Sequence, residues 1–174
     1  MKFSTVAIVV STALVGAAVL TGPAEATGPA RPPRAQQERL VRDWVQVWNG
    51  DYAPAKRIIA PTFGVHAALL DGGDGSAIKG PDGLVAMVSQ IRAPFPDLRF
   101  DVQVGPIIDG PHVVVRWIAT GTYQGGFPGA TAPVGTRITF TGVDILRTEH
   151  GKFVEYWLNA DTTLLLTQLK VTAA

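Results

Sequence analysis

The stretch TRITFTGVDILRTEHGKFVEYWL, residues 136–158, decides the fold. Residues 136–148 are rich in β-branched and aromatic side chains and read as one long strand. Glu149-His150-Gly151-Lys152 is a hairpin turn, and residues 153–158 pair back antiparallel. Upstream, residues 112–123 (HVVVRWIATGTY) form another long strand with Arg116 inside a run of Val, Trp and Ile. Before that, Phe100, Val102 and Val104 alternate with Asp101 and Gln103 at the strand period of two.

The first half of the chain has the helical period instead. Leu40, Trp44, Val47 and Trp48 share one face of a helix over residues 36–49, which Gly50 ends. A short helix is expected over 54–60, stopped by Pro61, then a short strand over 63–70 and a tight DGGDGS loop at 71–76. A third helix spans 81–92, with Pro81 in its first turn and Leu84, Val88 and Ile91 as its buried stripe. After the strands, Asp161 reads as the N-cap of a terminal helix over 162–170 that buries Leu164, Leu165 and Leu169. Helices first and long antiparallel strands after them imply an α+β fold, with the helices on one face of a curved sheet. A strongly bent sheet of this kind leaves a cone-shaped apolar hollow, a favoured place for small-molecule sites.

The chain has 174 residues, 47% hydrophobic and 17% charged, and carries a net charge of +1. That is one domain of sequence with ample core material. The balance of charge provides no field for collecting nucleic acid or anionic lipid. At the N-terminus, Lys2 precedes an apolar run from Val6 to Leu20 and the small-residue pattern Ala24-Glu25-Ala26. This is the pattern of a signal peptide over 1–26, and its run of about 15 residues falls short of the roughly 20 that span a bilayer. Secretion is therefore expected, with no membrane attachment after cleavage. Residues 27–35 (TGPARPPRA) read as a flexible leader and 36–174 as the domain. There is no Cys, so disulfides, thiol nucleophiles and thiolate ligands are all excluded.

Six short segments carry a family resemblance in the same order along the chain. FPDLR at 95–99 resembles "FPDL", and GTYQGGF at 121–127 resembles "GTHQGxF". PVGT at 133–136 sits where "PPTGK" is found, and GVDILR at 142–147 is similar to "GxDIxR". GKFVEYW at 151–157 resembles "GKIVEHW", and residues 161–169 resemble a "DxxxLLxQL" tail. These are segments of the SnoaL-like polyketide and ester cyclases of the NTF2-like superfamily. The resemblance implies an NTF2-like cone and frequent homodimers or higher oligomers. It also implies acid/base chemistry without metal or organic cofactor on a small hydrophobic carbonyl or ester compound, such as aldol closure of a polyketide. Two positions depart from it. The acid/base Asp that follows the Trp of the family's last strand is here Leu158, and the His of "GTHQG" is Tyr123.

The chemistry needs a group that removes a proton beside a carbonyl or gives one to an oxygen. Asp144 is the first candidate, placed mid-strand among apolar residues; its structural alternative is a cross-strand pair with Arg116 or Arg147. Arg116 is a candidate for holding a substrate oxygen, or else a buried ion pair with Asp144 or Glu155. His66, between Val65 and Ala67, is a candidate base at a cavity mouth, or a satisfied structural residue. Glu155 and Trp157 share a strand face, so Trp157 is expected as a pocket wall and Glu155 as a desolvated acid of raised pKa, or as a solvent-facing residue. Tyr123, Trp44 and Leu158 complete the expected substrate-binding set. Asp161 could replace the missing acid, although it fits an N-cap. His66, His112 and His150 are too scattered for a zinc site. No phosphate-binding loop and no Gly-x-Ser-x-Gly elbow is present. A cofactor-free cyclase, a secreted binding protein without turnover and an interaction module remain open, because this fold serves all three.

Overall fold

The computed structural model describes residues 33–69 and 72–171. The expected signal segment lies outside the described residues. In chain order the elements are α1 (Arg34–Trp48), α2 (Ala55–Ile58), β1 (Ile59–His66) and α3 (Gly80–Arg92). There follow β2 (Arg99–Asp109), β3 (His112–Thr122), β4 (Arg137–Glu149), β5 (Lys152–Ala160) and α4 (Thr162–Gln168). The five strands form one curved, unclosed sheet in the order β1-β5-β4-β3-β2. All neighbours pair antiparallel except β1, which runs parallel to β5 at one edge.

Alternation along the long strands divides the sheet into two faces. Val113, Val115, Trp117 and Ala119 of β3 and Ile138, Phe140, Gly142, Asp144 and Leu146 of β4 are buried under the helices. Arg116, Ile145 and the residues that alternate with them face outward. From above, α1 contributes Leu40, Trp44, Val47 and Trp48, the stripe its period predicts.

Several boundaries differ from the sequence reading, each for a local reason. Helix α1 begins at Arg34, within the stretch read as a leader, because Pro33 presets φ at −58° and its carbonyl accepts the amides of Gln36 and Gln37. The helix expected at 54–60 stops at Ile58. Ile59, Ala60 and Pro61 belong to β1, where the register with β5 shifts between Ile59 and Gly64, so Pro61 sits in an irregular part of an edge strand. In α3 the buried stripe runs through Leu84, Met87 and Val88, and Ile91 is only half-buried. Leu165 in α4 and Leu169, which follows its last residue, are buried, but Leu164 is 40% exposed.

Strand β2 departs most from simple alternation. Phe100 is buried and Val102 is partly exposed, yet Val104 is 50% exposed, because the register with β3 slips between Val102 and Val104 and sets Val104 opposite the outward Arg116; it slips again between Val104 and Ile107. Gly105 makes this possible. Its φ is +111°, and a Cβ there would stand 2.7 Å from the Val114 carbonyl oxygen.

The space between sheet and helices, expected as an apolar hollow, is occupied by aromatic rings. Trp44 packs against Trp48, Phe63, Phe153 and Tyr156 with ring centroids 4.8–6.4 Å apart. Phe100, Trp117 and Phe140 form a second cluster, joined to the first through the Trp48–Phe100 contact at 4.9 Å. Most of these pairs meet edge to face, and such pairs add roughly 0.5–1.5 kcal/mol each beyond area burial.

Candidate functional site

Asp144 is the only carboxylate buried among the described residues. Strand alternation points it inward, and the register places Val115 opposite it on β3 and Leu158 opposite it on β5. Its two diagonal neighbours face the same way. Trp117 lies opposite Gly142 and Tyr156 lies opposite Leu146, two residues to either side of Asp144.

Both neighbours aim a donor at the carboxyl group. The Trp117 Nε1–H donates to Asp144 Oδ1 at 2.8 Å, and the Tyr156 hydroxyl donates to the same oxygen at 2.9 Å. From α1, the Trp44 Nε1–H donates to Oδ2 at 2.9 Å. Three elements thus converge on one acid with three neutral donors and no cation. Burial pushes the Asp144 pKa up to about 6, and the donors from Trp44, Trp117 and Tyr156 hold it from rising further. The Tyr156 phenol is pushed up by its own burial and then by the charge of Asp144, so it stays a donor. A carboxyl group with such a pKa exchanges its proton near neutral pH, which is what an acid/base group needs.

The other residues expected at the site lie elsewhere. Arg116 points outward from β3 and donates to Gln103 Oε1, so it forms no ion pair with Asp144. Arg147 also faces outward and pairs with Glu155 and, at 3.3 Å, with Glu149. The Arg147 guanidinium holds the Glu155 pKa below the usual carboxylate range, opposite to the rise expected from desolvation. Trp157 is on the outer face, stacked flat on His66 with ring centroids 4.9 Å apart and an interplanar angle of 11°. His66 Nε2 stands 3.8 Å from Glu155 Oε1. His66, Glu155 and Trp157 therefore form their own group on the far side of the sheet from Asp144.

Trp44 is a core residue and a direct donor to Asp144. Tyr123 is buried beyond the end of β3 against Phe95, with ring centroids 5.9 Å apart. Leu158 is half-buried beside Asp144. Asp161 caps α4, its Oδ1 accepting the Leu164 amide at 3.1 Å. His112 and His150 are exposed.

The sequence reading missed Tyr156 and the donor role of Trp117. For Tyr156 a one-residue bulge is the reason. The hairpin begins with Glu149 opposite Lys152 and Thr148 opposite Phe153, but Arg147 pairs with Glu155. Val154 is the extra residue, and Phe153 and Val154 are both buried. Beyond it every β5 side chain is on the face opposite to that implied by the turn. Tyr156 and Leu158 therefore face Asp144, and Trp157 faces out.

Two depressions open to solvent at the periphery. One of about 400 Å³ lies between α1 and β2 and includes Val41, Arg42, Val45 and Phe100. The other, of about 450 Å³, lies at the end of β1 and includes His66, Asp74, Ser76 and Lys79.

Solved structures share this architecture. A candidate polyketide cyclase from Acidithiobacillus ferrooxidans superposes with a TM-score of 0.68 at 26% identity, covering 79% of this chain and 96% of that one. IdmH, a candidate polyketide cyclase from Streptomyces antibioticus, has a TM-score of 0.67 at 26% identity, covering 78% of this chain and 99% of that one. AclR, a candidate hydroxylase from Streptomyces galilaeus, has a TM-score of 0.67 at 25% identity, covering 82% and 89%. The fold is the NTF2-like cone. Among curated proteins none matches the chain. The SnoaL-like polyketide cyclase profile matches residues 38–169, nearly the whole described domain, and the chain belongs to that family.

Proposed function

We propose that the protein is a cofactor-free cyclase-type enzyme in which Asp144 is the acid/base group. The observation that carries this is the buried Asp144 carboxyl, gripped by Trp44, Trp117 and Tyr156 and poised at a pKa of about 6. As a carboxylate it removes a proton beside a carbonyl of the substrate. The resulting enolate carbon attacks a second carbonyl of the same molecule, and Asp144 returns the proton to the new alkoxide oxygen. The aromatic surroundings match a small, largely apolar carbonyl or ester compound in polarity, and such a compound reaches Asp144 only where the rings that fill the core move aside. The N-terminal pattern of residues 1–26 supports action outside the cytoplasm, and the family likeness supports a homodimer or higher oligomer.

The test is incubation with an aryl poly-β-keto compound, as the free acid and as the methyl ester, followed by mass spectrometry and NMR of the product. The protein should speed ring closure, and Asp144→Asn should abolish this while the variant still folds and binds. Full turnover by Asp144→Asn would overturn the assignment.

A second reading, a secreted protein that binds such a molecule without turning it over, is favoured by one observation. Leu158 stands opposite Asp144, at the position where the resembling cyclases carry their acid. Saturable binding with no product from either protein would select it.

A further inference from the structure

The groove between α1 and β2 has an apolar body and an uneven rim. Val41 and Val45 form its helical wall and Phe100 its strand wall. Four charged side chains also reach it. Glu38 is paired with Arg34 at 3.0 Å, and Asp101 with Arg99 at 3.2 Å. Arg42 has no carboxylate partner among the described residues. The groove thus offers one uncompensated guanidinium beside apolar walls, a combination that suits a carboxylate carried on an apolar body.

Phe100 lines this groove and touches the Trp117 ring that reaches Asp144. The buried ring packs against Trp48 at 4.9 Å and against Trp117 at 5.1 Å. The Phe100 backbone is held at both ends. Asn49 Oδ1 accepts its amide at 2.7 Å, and Asn49 Nδ2 donates to its carbonyl at 3.0 Å. Any opening at Phe100 would therefore come from its side chain turning, with the strand fixed. Trp48 Nε1, on the ring that Phe100 covers, is buried without a hydrogen-bond partner. An unmet buried donor is costly, and a ligand oxygen would satisfy it.

We propose that the α1–β2 groove is the docking site for the substrate, an elongated, largely apolar carbonyl compound that carries a carboxylate. Arg42 holds the carboxylate, the apolar body lies along Val41 and Val45, and the Phe100 ring is the door through which the reacting carbonyl reaches Asp144. The door rests on Asp144 being the acid/base group; the groove's affinity does not.

The probe is 2-naphthoate, with neutral methyl 2-naphthoate as its partner. In an NMR titration 2-naphthoate should shift amides of residues 38–45 and 99–106. Arg42→Ala should weaken 2-naphthoate about tenfold, as loss of a charge-assisted pair implies, and methyl 2-naphthoate less than twofold. Phe100→Leu, milder than truncation, should raise acrylamide quenching of the indole fluorescence. The proposal is overturned if the shifts fall instead around His66 and Lys79, if no binding occurs, if Arg42→Ala weakens both probes equally, or if Phe100→Leu leaves quenching unchanged. Asp144→Asn should bind 2-naphthoate like the parent. Should it also keep full turnover, the cyclase reading fails while the groove stands; lost turnover with 2-naphthoate bound elsewhere leaves the reverse.

Discussion

The indole of Trp117 lies across the backbone of Gly142, its partner on the neighbouring strand, in space that any side chain at 142 would occupy. An added Cβ would fall within the van der Waals envelope of the ring and 2.7 Å from the Asn159 carbonyl oxygen. Only glycine lets the ring lie there, and only that position brings Nε1 to Asp144 at 2.8 Å. Gly142→Ala should therefore cost about 3 kcal/mol, the upper range for forced overpacking, in urea unfolding. It should also move the Trp117 contribution to near-ultraviolet circular dichroism. A cost below about 1 kcal/mol would mean the ring relaxes freely.

Trp117→Phe keeps an aromatic ring and removes the donor. Since the Trp117 hydrogen bond lowers the Asp144 pKa, its loss should raise that pKa beyond about 6. The stability loss should be about 1–3 kcal/mol, for one lost hydrogen bond to a buried carboxyl whose Oδ1 still accepts from Tyr156. A carbon-13 NMR titration of the Asp144 carboxyl reads the first effect, and urea unfolding reads the second.

Asp144 also makes stability depend on pH. Its folded pKa of about 6 is above the roughly 3.9 of an unfolded Asp, so between these values the folded state binds more protons. Stability from this group therefore falls as pH rises from about 4 to about 6, by up to about 3 kcal/mol, and is level above that. Asp97, held low by its hydrogen bonds from Thr122, and Glu155, held low by Arg147, act with the opposite sign. The difference between the parent and Asp144→Asn isolates the effect. That difference should shift against the parent across this window in urea unfolding, and a flat difference would contradict the raised pKa.

Glu155→Gln provides the contrast. The Arg147–Glu155 pair sits on the outer face, so its loss should cost less than about 1 kcal/mol. Ring-closing activity should be retained, which separates the His66–Glu155–Trp157 group from the chemistry at Asp144.

Residue order alone determined the class of fold. The 3.6 period of Leu40, Trp44 and Trp48, the alternation through 112–123 and 136–148 and the turn at 149–152 each report local geometry, and local geometry is written in nearest neighbours. Asp144 could be singled out for the same reason, as a charge amid apolar strand residues. What surrounds Asp144 was decided only in three dimensions. Trp44 lies 100 residues away and Trp117 lies 27 away, and no spacing predicts that both will turn a nitrogen toward one carboxyl. The face on which Tyr156, Trp157 and Leu158 fall depended on a single unpaired residue, Val154. A strand's side chains alternate with period two, so one inserted residue exchanges inside for outside, and a bulge of that size leaves no mark in the composition of the strand that carries it.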